Sequence, residues 1–393
     1  MNIYLFLSGI FILTFILGKA IEKIRVPWIF AALVLGAVTA IYNPFKSLTD
    51  SASFELLANL GMYFMLFMIG LDINLKEIKK KSGFIFRATF LIILSEAFFG
   101  SLLIHFLFNY GWGISFVVAL SFATVGEAIL IPILDEFKIT KTKLGQVIIN
   151  IGVLDDVIEI LILITVVIIV GGVNGGRFHV GSMIFSLILL IIVALILINF
   201  RKSKKSKEYF NFLNIKTLFL FTIFIFFLFL GIGSYAQASA LGALLAGMSI
   251  RNLLPKNKLD LIETEIKAIS YGLFAPIFFF WVGLSLNVSY LITAPLSVLL
   301  LVLVVGATKI IVSLIVARKE FNIRRSILLG VGLSVRFSTS IIIIKILFEN
   351  NIIDINLYSV IIASSIVFQF LVPILFSNLL VKWEVKKIKT TKI

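Results

Sequence analysis

The chain has 393 residues, of which 60% are hydrophobic and 14% charged, and a mean hydropathy of +1.14. Such values exclude a soluble domain and describe an all-α polytopic membrane protein. A net charge of +15 would point to nucleic acid in a soluble chain; here the loops account for it, and the absence of cysteine excludes disulfides and thiolate metal sites.

The opening stretch MNIYLFLSGIFILTFILGKA lacks a basic n-region and a small-residue cleavage site, so it reads as a first span rather than a removed signal peptide. Apolar runs separated by charge and by Gly, Pro and Asn clusters predict thirteen spans. They lie near 3–19, 27–43, 54–72, 83–108, 113–135, 144–171, 178–200, 215–231, 235–251, 268–288, 294–317, 325–347 and 354–381. Basic residues follow the odd-numbered spans: 30 of the 35 Lys and Arg fall on that side, and only Lys46 and Arg177 occupy the other gaps. The positive-inside rule then puts the N-terminus outside and the C-terminus in the cytoplasm.

The two halves resemble each other. MIGLDINL (68–75) matches WVGLSLNV (281–288), pairing Gly70 with Gly283 at an offset of 213. The same offset carries Ser121 of ALSFATVGEA to Ser334 of GLSVRFSTSI, and Gly36 is spaced from Pro44 as Gly247 is from Pro255. Spans one to six (1–172) would repeat as spans eight to thirteen (215–393), with 173–214 as linker span and basic loop. An odd number of spans between equivalent positions inverts the second copy, as in secondary transporters. SFATVGEA (121–128) and SVRFSTS (334–340) are rich in Ser, Thr and Gly. They read as unwound stretches that line a cavity, the alternative being small residues packing helix on helix.

Charged residues inside spans are expensive in lipid and mark ion or proton pathways. GQVIINIGVLDDVIEILIL (145–163) sets Asp155 beside Asp156, with Glu159 one turn on. Glu127 and Arg336 sit in the two unwound stretches, and Lys345 follows in the twelfth span. At the repeat offset, Glu96 of span four corresponds to Lys309 of span eleven. A lysine so deep needs a carboxylate partner, and Asp155 or Asp156 is the natural one. Neighbouring helical positions diverge by about 100°, so one aspartate can pair while the other faces a water-filled cavity. Burial disfavours that second carboxylate's charge, so a proton and a cation compete for it. Adjacent acids on one helix do not make an aspartyl-protease dyad. No nucleophile elbow, P-loop or zinc motif is present, so no enzyme is expected.

With these residues assembled, the chain resembles the monovalent cation/proton antiporter superfamily. It is closest to the bacterial sodium/proton exchangers that carry paired aspartates. The likeness runs through LGKAIEKIRVPWIFAALVLGAV, FMIGLDI, SFATVGEA, GVLDDV, LFAPIFFFWVGLSL, the Lys309 span and GVGLSVR. The resemblance implies that Asp156 binds cation or proton and that Thr124 lies beside the transported Na⁺. It implies an Asp155–Lys309 pair that breaks and reforms, and electrogenic exchange because of that lysine. It further implies an elevator movement of spans four to six and eleven to thirteen against a dimerising scaffold, in a prokaryotic cytoplasmic membrane. The second unwound stretch departs from the family: Arg336 is kept without its usual acidic neighbour, while Glu127 and Glu159 add carboxylates. Glu127 is expected to pair with Arg336.

The function expected is exchange of Na⁺ or Li⁺ for H⁺, without a cofactor and with lipids and a second copy as partners. Exchange of K⁺ for H⁺ is the nearest alternative, and the lack of a soluble regulatory domain after the last span weighs against it. A sodium-coupled organic-anion symporter is a further alternative, requiring a roomy apolar cavity for its solute.

Overall fold

The structure is a computed structural model describing residues 2–23, 27–72, 83–125, 134, 139, 142–174, 180–200, 213–235, 238–336 and 338–385. Among these, every regular element is a helix. Helices satisfy their backbone groups internally, the condition that apolar surroundings impose.

The elements in order are α1 (Ile3–Glu22), α2 (Phe30–Ile41), α3 (Ala52–Asp72), α4 (Gly83–Phe108), α5 (Trp112–Phe122), α6 (Lys143–Asn174) and α7 (Val180–Phe200). Then come α8 (Ile215–Ser234), α9 (Ser239–Leu253), α10 (Lys256–Leu284), α11 (Pro295–Ala317), α12 (Ile323–Gly332), α13 (Ser338–Glu349) and α14 (Ile355–Leu380). Among the described residues, seven helices are long and apolar enough to cross a membrane: α1, α3, α4, α8, α10, α11 and α14. The other predicted runs also hold helices, several of them shorter (α2, α5, α9) and one interrupted.

That interruption falls in the run 325–347. α12 stops at Gly332, residues 333–336 are non-helical, and α13 starts at Ser338. The first Ser/Thr-rich stretch behaves alike at its start: α5 ends at Phe122, and Thr124 and Val125 are outside helix. α10 differs from expectation. It begins twelve residues before the predicted span, because Leu259, Ile262 and Ile266 form one buried stripe among the charges of KNKLDLIETEIKAI. A π-turn at Ser270–Phe274 then leads into its apolar half.

The chain divides into two compact units, interleaved in sequence. One comprises Met1–Thr14, Ala32–Asn74 and Leu163–Leu284. Its helices meet through two reciprocal glycine crossings. A Cβ at Gly36 would fall on the Phe280 carbonyl oxygen, and one at Gly283 on that of Leu33. A Cβ at Gly70 would fall on the Leu244 carbonyl oxygen, and one at Gly247 on that of Phe67. Only glycine allows backbones this close.

The other unit comprises Phe15–Ala31, Leu75–Ile162 and Ser285–Ile393. There α4 packs on α5 and α11, and α11 packs on α12 and α14. Short polar side chains start its helices. The Thr142 hydroxyl accepts the Gly145 N–H at the head of α6 (3.2 Å). Asn322 accepts Arg325 N–H at α12 (3.0 Å), and Asp354 accepts Leu357 N–H at α14 (2.9 Å).

Candidate cation and proton site

The second unit gathers Glu96, Asp155, Lys309 and Arg336 in its interior, each 1% exposed or less. Four ionisable groups reach this depth because helix continuity gives the chain no choice. They sit mid-run on α4, α6 and α11 and in the gap after α12, flanked by apolar residues. Unpaired, each would cost several kcal/mol, as an order of magnitude. They are therefore paired with one another and with freed backbone groups.

Glu96 is the hub. Its Oε2 lies 3.2 Å from Lys309 Nζ, and its Oε1 accepts Arg336 Nη2–H. Lys309 also donates to the carbonyls of Leu333 (2.7 Å) and Thr124 (3.3 Å). Arg336 donates from Nη1 to the same Thr124 carbonyl at 3.2 Å. Both carbonyls are free because the helices stop there, so the interruptions themselves supply the cations' acceptors. Phe122 and Phe368 flank the guanidinium, with ring centroids 3.8 and 5.3 Å from its carbon.

Asp155 meets the backbone after α5. Its Oδ2 accepts the Val125 N–H at 2.5 Å, while its Oδ1 is buried without a partner among the described residues. The Thr124 hydroxyl meets the Ser340 hydroxyl at 2.5 Å, joining the residues after α5 to the first turn of α13. A carboxylate oxygen in need of a partner, hydroxyls and exposed carbonyl dipoles in a buried place form a hard-oxygen environment. Such an environment suits a small cation or a proton.

Two of the expected pairings are not seen among the described residues. Lys309 does not pair with Asp155 in this conformation; Glu96 lies nearer, and Val125 N–H has taken one Asp155 oxygen. Arg336 does have an acidic partner, but it is Glu96, while Glu127, the partner expected, lies outside the described residues. Asp156 follows Asp155 in α6, and its side chain is also outside the described set. Glu159 is buried on the same helix at 5% exposure. Lys345 stands apart, donating to Ser285 Oγ at 2.7 Å and pairing with Glu349 at 2.7 Å. Sequence reasoning missed Ser340, the Val125 N–H and the aromatic pair Phe122 and Phe368. Ser340 ends the stretch flagged as unwound, so its signal was present; the aromatics had none among 39 phenylalanines.

Interrupted helices meeting over buried charges define a helical membrane protein of the ion-transporter class. The chain matches the sodium/hydrogen exchanger transmembrane family over residues 9–382, and it belongs to that family. It is 26% identical over 382 residues to a probable Na⁺/H⁺ antiporter 3 of Methanocaldococcus jannaschii, covering 95% of this chain and 96% of that one. It is 26% identical to a Na⁺/H⁺ antiporter of Enterococcus hirae, over 84% of this chain and 85% of that one. In fold it is similar to the sodium proton antiporter MjNhaP1 from Methanocaldococcus jannaschii, at a TM-score of 0.64 and 16% identity. That match covers 96% of this chain and all of the other.

Proposed function

We propose that this chain exchanges Na⁺ or Li⁺ for H⁺ across a prokaryotic cytoplasmic membrane. Asp156 binds cation and proton in turn, and Thr124 lends its oxygen to the ion. The observation that carries the reading is Asp155 Oδ1, on the residue next to Asp156, buried and without a partner among the described residues. The same carboxyl's Oδ2 accepts Val125 N–H, adjacent to the Thr124 that meets Ser340. Burial makes a lone carboxylate unstable, so either a proton or a cation relieves it, and not both at once. Family membership and the names of the two relatives support the substrate. Lys309 then exchanges partners during the cycle, resting on Glu96 as seen here and moving to Asp155 when the cation has left.

Alternating access of elevator type, by spans four to six and eleven to thirteen, belongs to the same proposal. The compact unit that holds α4, α5, α11, α12, α13 and α14 supports it. So does the pairing of glycines. Under the repeat offsets Gly36 becomes Gly247 and Gly283 becomes Gly70, which turns one crossing into the other, as inverted halves require. The thirteen-span count, the inverted halves, the N-out orientation and a dimer are carried as parts of this reading.

The test is proton movement in proteoliposomes under an imposed pH gradient, with Na⁺, Li⁺ or K⁺ added in turn to wild type and Asp156→Asn. Dissipation by Na⁺ or Li⁺ in wild type and silence in the mutant is the expected result. A response to K⁺ alone reassigns the substrate, and sodium uptake only in the presence of an organic anion, with no cation moving protons, would replace exchange by symport.

A further inference from the structure

A cavity of about 780 Å³ opens at the turn between α11 and α12, away from the buried charges. Its polar lining is Arg318, Asn322, Arg324 and Ser326, and its apolar lining includes Ile315 and Ile323. Three features of this lining are unsatisfied.

The first is charge. Arg318 and Arg324 have no carboxylate partner among the described residues, and the one acid of the turn, Glu320, is already paired with Lys143 at 2.6 Å. The second is the head of α12. Asn322 caps Arg325 N–H, which leaves the N–H groups of Ile323 and Arg324 without acceptors among the described residues, at the positive end of the helix dipole. The third is Ser326. Several buried serines in these helices donate to the carbonyl four residues back, as Ser334 does to Gly330 and Ser364 to Val360, though Ser313 and Ser377 do not. The Ser326 hydroxyl, 1% exposed, has no partner among the described residues and lines the cavity. Two cations, free N–H groups and a spare hydroxyl converge on what must be an anion with several oxygens.

The apolar walls decide which anion. Ile315 and Ile323 are 69% and 71% exposed, and Ile311, one turn further along α11, is 54% exposed. A soluble phosphate has no use for that ridge, whereas an acyl chain covers it. We propose that this cavity binds an anionic phospholipid of the surrounding bilayer. The phosphodiester lies against Arg318, Arg324 and the head of α12, the Ser326 hydroxyl donates to a headgroup oxygen, and one chain runs along Ile315 and Ile311. The turn falls on the side that carries most of the chain's Lys and Arg, where anionic lipid is drawn to basic residues.

Native mass spectrometry of the full chain in detergent tests this. Wild type, Arg318→Gln/Arg324→Gln and Ser326→Ala are titrated with phosphatidylglycerol, phosphatidylcholine or inorganic phosphate. A control pair, Lys256→Gln/Lys267→Gln, removes two exposed charges elsewhere. Wild type and control should retain phosphatidylglycerol over phosphatidylcholine. The arginine pair should weaken phosphatidylglycerol roughly 30-fold, the contribution of two basic residues near an anionic lipid. Ser326→Ala should weaken it less. Equal retention of both lipids, or equal loss in the arginine and control pairs, overturns the proposal. Displacement of the lipid by millimolar inorganic phosphate overturns it in favour of a soluble anion. The arginines are exposed, and unchanged melting of the variants separates lost binding from lost fold.

Discussion

Glu96 on α4 and Lys309 on α11 touch each other as a buried ion pair at 3.2 Å. The same carboxylate also holds Arg336, so one acid neutralises part of two cations. Glu96→Gln therefore strands both. It should destabilise the protein by about 3–5 kcal/mol, the usual result of removing one partner from a buried pair. Adding Lys309→Met restores the charge balance and should recover part of the loss. Melting of the single and double variants in detergent measures the coupling, and strict additivity would contradict a direct pair.

Arg336 is held by shape as well as charge. Lysine keeps the charge but loses the planar contact with Phe122 and Phe368 and one of two hydrogen bonds. Arg336→Lys should cost about 1–3 kcal/mol of stability. A melting temperature equal to wild type would show that charge alone matters here.

The glycine crossings make a sharper contrast. Gly36→Ala and Gly283→Ala drive a methyl into a facing carbonyl, and neither backbone can retreat without unpacking its helix. Both variants should lose folded protein in detergent size-exclusion. Gly9→Ala, in α1, meets nothing within 4 Å and should be neutral, or stabilising by up to about 1 kcal/mol. Equal behaviour at the three sites would contradict the close approach.

Outside the spans, Tyr110 accepts the backbone N–H of Asp354 at 2.7 Å, next to the cap of α14. Burial, chiefly, holds its hydroxyl above the ordinary tyrosine range; the Asp354 N–H opposes this and the Asp354 carboxylate adds to it. With the folded value above the unfolded one, this contribution is complete below the unfolded value of about 10 and is lost as pH rises through the folded value. Tyr110→Phe should cost about 0.5–1.5 kcal/mol near neutral pH and flatten the alkaline loss. Melting from neutral to strongly alkaline pH would reveal both effects.

Much of this arrangement was readable in advance because lipid makes charge conspicuous. Glu96, Asp155, Lys309 and Arg336 stood out as soon as the apolar runs were drawn, and all four are buried. Their pairing was not readable. Sequence says which side chains are costly to bury, but the choice of partner depends on ångström-scale distances across helices far apart in the chain. Lys309 rests on Glu96, while one Asp155 oxygen accepts the Val125 N–H, a backbone group with no sequence signature. The interruption after Gly332 was legible from its Ser, Thr and charge content. The early start of α10 was not, because its stripe of Leu259, Ile262 and Ile266 is diluted by lysines and acids to the look of a loop.

Two buried acids, Glu96 and Asp155, stand against two buried bases, Lys309 and Arg336. In their ionised forms this quartet sums to zero. A body that carries such a quartet through a membrane potential performs no electrical work on its behalf, because the work scales with net charge displaced. In the elevator proposed above, the quartet would be electrically silent ballast, and the voltage would register only what is added to it or taken from it.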